Sequence, residues 1–203
     1  FSSNEAGTIT YGGSCSSSTT AASVGDNTIT FNELADGPYN CTITVTDNAS
    51  NTSTQSVNTF IIDTTAPTLS RVTAVSSPIN DSTPNYTFSS SEAGTITYGG
   101  SCSSSTTAAS ATSNTITLNA LADGPYSNCT VSVTDSAGNV SSPHSINTFT
   151  VAVPPTLAEV TAVSNPTKVS TPNYTFSSSE AGTIAYAGNC SSSTTSATAT
   201  SNT

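Results

Sequence analysis

Residues 5–23 read EAGTITYGGSCSSSTTAAS, and residues 92–110 repeat that stretch without a change. A third copy, EAGTIAYAGNCSSSTTSAT, begins at Glu180. Each copy opens on an alternation of Thr with Ile and Tyr, which puts one set of side chains on each face of an extended strand. The phenylalanine ahead of each block stands at Phe1, Phe88 and Phe176, a period of 87–88 residues. Solenoid repeats run to about 20–50 residues, so this period is too long for one. It suits one small β-sandwich domain per repeat.

Outward from that stretch, the middle copy gives the full pattern. Alternation and β-branched content predict strands over 69–75, 85–89, 95–98, 115–119, 129–134 and 146–151, with a further short one inside 103–112. Ala122-Asp123-Gly124-Pro125 and Ser136-Ala137-Gly138-Asn139 read as turns between them. No segment has a helical period. The fold class is therefore all-β: tandem immunoglobulin-like β-sandwich domains of about 88 residues. The expected division is a repeat over 1–64 without its first strands, a complete repeat over 65–153, and a repeat over 154–203 without its last strands.

Composition narrows function. Arg71 and Lys168 are the only fixed cations against twelve Asp and Glu, for a net charge of −10. Phosphate neutralisation needs clustered Lys and Arg, so nucleic acid is excluded as a partner, and anionic membrane surfaces are disfavoured. No apolar run approaches the roughly 20 residues of a membrane-spanning helix, so no direct membrane insertion is expected. The abundance of Ser and Thr could mean disorder, but the ordered apolar alternation argues for packed strands.

Each copy carries one Cys after its EAGT strand. The first two carry a second further on, giving Cys15 with Cys41 and Cys102 with Cys129, while Cys190 has its expected partner outside the sequence. This spacing reads as one intradomain disulfide per repeat, and so as a secreted setting. A metal site or thiol catalysis would want denser Cys and His, and His144 is the only histidine. Tyr39, two residues before Cys41, fits the tyrosine corner of such sandwiches. Tyr126 lies three before Cys129, which predicts a local bulge.

The linker DTTAPTL (63–69), the LADGPY turn (34–39 and 121–126) and VTDSAGNVS (133–141) resemble the bacterial Ig-like repeats of large secreted adhesins and biofilm-associated surface proteins. That resemblance implies an extracellular or cell-surface protein of many domains. It departs from the pattern in its disulfides and in the second linker, VAVPPTL (151–157), which has no acidic residue. Two roles follow as expectations: a self-assembling filament whose partners are like repeats of the same or neighbouring chains, or a spacer stalk that presents a distal binding domain. Neither is catalytic, and no acid–base pair or metal triad stands at a fixed spacing. The candidate ligand is calcium at the first junction, held by Asp63 of the linker, Glu92, Asp135 and Asp36 of the preceding repeat. Related adhesin repeats use linker aspartates in this way, and calcium takes about six to eight oxygen ligands. The plainer reading makes Asp36 and Asp135 turn caps. At the second junction only Asp123 and Glu180 remain. Asn-x-Ser/Thr triplets begin at Asn40, Asn48, Asn51, Asn80, Asn85, Asn128, Asn139, Asn173 and Asn189; several are expected by chance in so Ser/Thr-rich a chain, and most are read as unused. Thr42-Ile43-Thr44-Val45-Thr46 raises a remote ice- or glycan-binding alternative, against which sheet twist argues.

Overall fold

The computed structural model describes all 203 residues, and every regular element is a strand. The first repeat contains β1 (Ser2–Ser3), β2 (Gly7–Gly13), β3 (Ala21–Ala22), β4 (Gly25–Asp26), β5 (Gly37–Tyr39), β6 (Cys41–Thr46), β7 (Thr52–Ser56) and β8 (Phe60–Ile62). The middle repeat runs through β9 (Leu69–Thr73), β10 (Asn85–Ser90), β11 (Gly94–Gly99), β12 (Ala108–Ala109) and β13 (Ser113–Thr117). It continues with β14 (Gly124–Tyr126), β15 (Thr130–Thr134), β16 (His144–Ser145) and β17 (Phe149–Val151). In the third lie β18 (Leu157–Thr161), β19 (Thr175–Ser178), β20 (Gly182–Thr183), β21 (Ser196–Ala197) and β22 (Ser201–Asn202).

In the middle repeat two antiparallel sheets face each other, with orders β13-β10-β9 and β12-β11-β15-β16, and the pair β14-β17 closes one edge. Alternation decides what lies between them. Ile96 pairs with Val133 and Tyr98 with Val131, which puts the apolar set on the inner face and Thr95, Thr97, Ser132 and Thr134 outside. Tyr86 and Phe88 of β10 answer from the opposite sheet, and both are fully buried. Fourteen buried residues form one core here, including Cys102 and Cys129. The first repeat keeps the sheet β3-β2-β6-β7 and only a two-residue remnant, β1-β4, of the other; its core is Ile9, Ala22 and Ile43. The third keeps β18-β19-β22 and β20-β21, and its only buried residues are Ser178 and Asn202.

The structure corrects several expected boundaries. The first strand ends at Thr73 instead of Val75, because the chain leaves that sheet there; the Val75 N–H donates to Asn147 Oδ1 at 3.0 Å. The strand expected over 146–151 shortens to β17, and β16 precedes it in the other sheet. Asn147 causes the break, since its amide Nδ2 also donates to the Val75 carbonyl and draws the chain from one sheet to the other. The turn read at 122–125 is partly strand: Gly124–Tyr126 pairs with Phe149–Val151, and the Tyr126 ring stacks on Phe149 at 5.3 Å. No bulge interrupts that ladder. Residues 127–128 absorb the extra length outside any strand, and Tyr39 and Tyr126 both donate to the carbonyl four residues upstream, Ala35 and Ala122.

Candidate functional site

The repeated stretch explains itself in hydrogen bonds. In the middle repeat the Tyr98 hydroxyl donates to the Thr106 carbonyl, Ser104 Oγ to Thr117 O at 2.6 Å, and Asn119 N to Ser103 O at 2.8 Å. The SCSSSTT loop is thereby stitched across to β13. The same bonds recur in the first repeat through Tyr11, Ser17 and Asn32. Asn114 is nearly buried; its side chain accepts from Ser110 N–H and donates to the Ser110 and Thr112 carbonyls, and Asn27 and Asn202 hold the matching places. The turn after β11 needs glycine. Gly100 has φ +73°, and a Cβ there would meet the Asn128 carbonyl oxygen.

Cys15 is bonded to Cys41 and Cys102 to Cys129, with Cα separations of 5.6 and 5.2 Å, and Cys190 is free and exposed. Each bridge joins the loop after the repeated strand to the start of the strand it pairs with. It therefore closes a loop of 26 or 27 residues.

At the junction of the first two repeats, the structure brings Asp63, Glu92 and Asp135 together, with one carboxylate oxygen from each lying within 4.8 Å of the others. Three different features position them. Asp63 ends the β8 edge and enters the linker. Glu92 sits in the turn after β10, where Ser90 Oγ donates to its carbonyl at 2.6 Å. Asp135 follows β15, and its Oδ1 accepts the N–H groups of Ala137, Gly138 and Asn139. Asn139 also reaches across the junction, donating from Nδ2 to the Asp63 carbonyl at 3.0 Å. Asp36 stands outside this set. Its carboxylate accepts from Thr64 N–H, Thr64 Oγ1 and Thr65 Oγ1, and so ties the first repeat to the linker.

Electrostatics divide these four carboxyls. Desolvation raises the Glu92 pKa, and the charges of Asp63, Asp135 and Asp36 raise it further. Desolvation also acts upward on Asp135, but the Asn139 side chain and the three backbone N–H donors outweigh it and leave the group below its ordinary value. Asp36 is held low by the Thr65 and Thr64 hydroxyls. The junction thus contains two carboxylates, Asp135 and Asp36, held in their charged form by hydrogen bonds, and a third, Glu92, that takes a proton more readily than usual. Chemically, it is an oxygen-only donor set suited to a hard cation. The second junction differs: Asp123 accepts from Val153 N–H at 3.0 Å, and Glu180 is raised chiefly by its hydrogen bond to Asp123.

The two facing sheets of the middle repeat, with a tyrosine corner and a disulfide in each of the first two repeats, define a tandem of immunoglobulin-like sandwiches joined by short linkers. The bacterial Ig-like domain family matches the chain twice, over residues 4–64 and 70–152, and the chain belongs to that family. Domains of this kind are typical of surface proteins. No curated protein matches the chain. Sequence reading missed Asn114, Asn147 and Ser104. The signal was present, since Asn114 and Ser104 recur in all three copies and Asn147 in the first as Asn58, but a polar residue in a Ser/Thr-rich chain does not announce a buried bond.

Proposed function

We propose that the chain is a non-catalytic structural segment of an extracellular bacterial-type fibre, in which the repeats are the links. The observation behind this reading is the repetition itself. Three copies of one small sandwich follow each other through short Pro-containing linkers, two of them locked by a disulfide of the kind that persists in oxidising surroundings. Pro67 and the Pro154-Pro155 pair limit bending at those linkers. The partners in this reading are like repeats of neighbouring chains, packing through a small-residue surface that carries little charge repulsion. The second reading, a stalk holding a distal adhesive domain, draws on the same repetition without lateral contacts.

The close approach of Asp63, Glu92 and Asp135 favours calcium as the ligand of the first junction, where it would neutralise three carboxylates and stiffen the linker. Electron microscopy of the native material tests the main reading. Ordered filaments wider than one domain support the fibre, whereas single thin strings support the stalk and remove lateral assembly from the account. Calorimetric titration with calcium tests the junction; absence of heat, together with an unchanged melting temperature, removes the ion.

A further inference from the structure

Residues 66–110 and 154–198 align without a gap, 88 positions apart, and their charges differ in a systematic way. Arg71 of the middle repeat is Glu159 in the third, and Asn80-Asp81 is Lys168-Val169. The other charges of the middle repeat lie at its junctions, Glu92 and Asp135 at the first and Asp123 at the second. In the third repeat Glu180 meets Asp123 at that second junction. Away from the junctions, then, each repeat carries one cation and one anion, in opposite order: Arg71 before Asp81, and Glu159 before Lys168. These two cations are the chain's only arginine and its only lysine.

Both places lie on one side of the sandwich. β9 is the edge strand of the sheet β13-β10-β9. Beyond it the chain runs down the same side, with Val75 bonded to Asn147 and Ile79 paired with Val151 of β17. Arg71, Asn80 and Asp81 are all exposed there. Between Arg71 and Thr73 a bulge leaves Val72 out of the ladder, 54% exposed. Of the middle repeat's large aliphatic and aromatic side chains, only Val72 and Val140 are so exposed. β18 has the same form: it is the edge of β18-β19-β22, a bulge falls between Glu159 and Thr161, and Val160 is 55% exposed. A bulge and a lone charge are what blunt an edge strand against its own kind. The bulge also stops a ladder from continuing across the edge, so docking here is through side chains.

We propose that this side of the middle repeat is an interaction surface for the same side of the third repeat in a second copy of the chain, the two lying side by side and pointing the same way. Arg71 of one copy then faces Glu159 of the other, Asp81 faces Lys168, and Val72 meets Val160. Direction matters, because equal positions come to equal heights only when the strands run parallel, and both charge pairs then match at once. Antiparallel docking through Arg71 and Glu159 carries Asp81 and Lys168 to opposite ends. Like repeats are kept apart: middle against middle sets Arg71 on Arg71 and Asp81 on Asp81, and third against third does the same with Glu159 and Lys168. Exposed ion pairs add little affinity, but they fix register and reject wrong partners. The valines contribute the apolar burial. Because one copy's middle repeat takes another's third, the contact is heterologous and staggers neighbouring chains by one repeat.

This inference rests on the fibre reading, and the test separates the two. Sedimentation velocity of the 203-residue chain should show species heavier than monomer that grow with concentration and recede as salt rises, since salt screens exposed charges. Arg71→Glu alone, or Glu159→Arg alone, should weaken association by about tenfold. An equimolar mixture of those two variants should recover it, because each offers the charge the other lacks, and so should the double variant. Asp81→Lys and Lys168→Asp should behave in the same way, singly and together. Glu33→Arg, the same change of charge at an exposed position of the first repeat, should leave association unchanged. Monomer at every concentration overturns the contact. So does association that the four substitutions do not weaken, or a loss that no recombination of charges restores. Recovery at Arg71 with Glu159 but not at Asp81 with Lys168 overturns the parallel direction. Microscopy of the native material judges the fibre reading separately: ordered filaments alongside monomers in sedimentation leave the fibre standing on another surface, and single thin strings remove both.

Discussion

Glu92 carries more of the first junction's electrostatic cost than its neighbours, because desolvation and three nearby carboxylates all act on it in the same direction. Its folded pKa lies above the ordinary value of 4.5, so the cost is present at neutral pH and disappears as pH falls through the raised value toward 4.5. Asp135 behaves oppositely: its lowered pKa contributes stability above the ordinary 3.8 that is lost as pH falls below it. Glu92→Gln should therefore raise the melting temperature of the calcium-free chain at pH 7, and the difference should close near pH 4.5; calorimetry at the two pH values checks this. The same variant should lose any stabilisation by calcium. Backbone geometry decides another residue. At Gly100 a methyl group would lie 2.0 Å from the Asn128 carbonyl oxygen, in a left-handed conformation that L side chains avoid. Gly100→Ala should cost the middle repeat roughly 2 kcal/mol, measured by urea unfolding. Tyr86 supplies a contrast. Its hydroxyl is buried without a hydrogen-bond partner, so Tyr86→Phe should leave stability unchanged or raise it by about 1 kcal/mol.

Strands were legible where one face is buried and one is wet. Thr130 to Thr134 alternates half-buried Thr and Ser with buried Val, and the expected strand and the observed β15 differ by one residue. The reading failed where the chain changes sheets. Nothing in Val75 or Ile146 alone says that these residues leave their strands, because the cause is the amide of Asn147, 72 positions from its partner. The short β14 was hidden for a related reason: Asp-Gly-Pro signals a turn, and the ladder that follows depends on Phe149, distant in sequence. The carboxylate group was partly legible. Linker, turn and loop residues could be placed at one pole of a sandwich from their strand order, but Asp36 shows the limit, since Thr64 and Thr65 occupy its oxygens. At this scale the disulfide is the strongest single tie. Closing a loop of 27 residues should be worth roughly 3 kcal/mol. The double change Cys102→Ser and Cys129→Ser should lower the middle repeat's unfolding free energy by about that amount.

For the molecule as a whole, the bridge position also sets how far a repeat can be drawn out by a pull along the array. Tension enters a repeat ahead of its first strand and leaves after its last, and the bridge short-circuits everything between Cys102 and Cys129. If the middle sandwich tears open while oxidised, those 27 residues stay gathered and cannot pay out. At roughly 3.5 Å per residue, reduction should lengthen the step released in a single-molecule pulling trace by about 90 Å per repeat. A row of such repeats behaves as a tether with a built-in stop: each link can yield under load, yet none can reach its full chain length until its sulfur bond is cut.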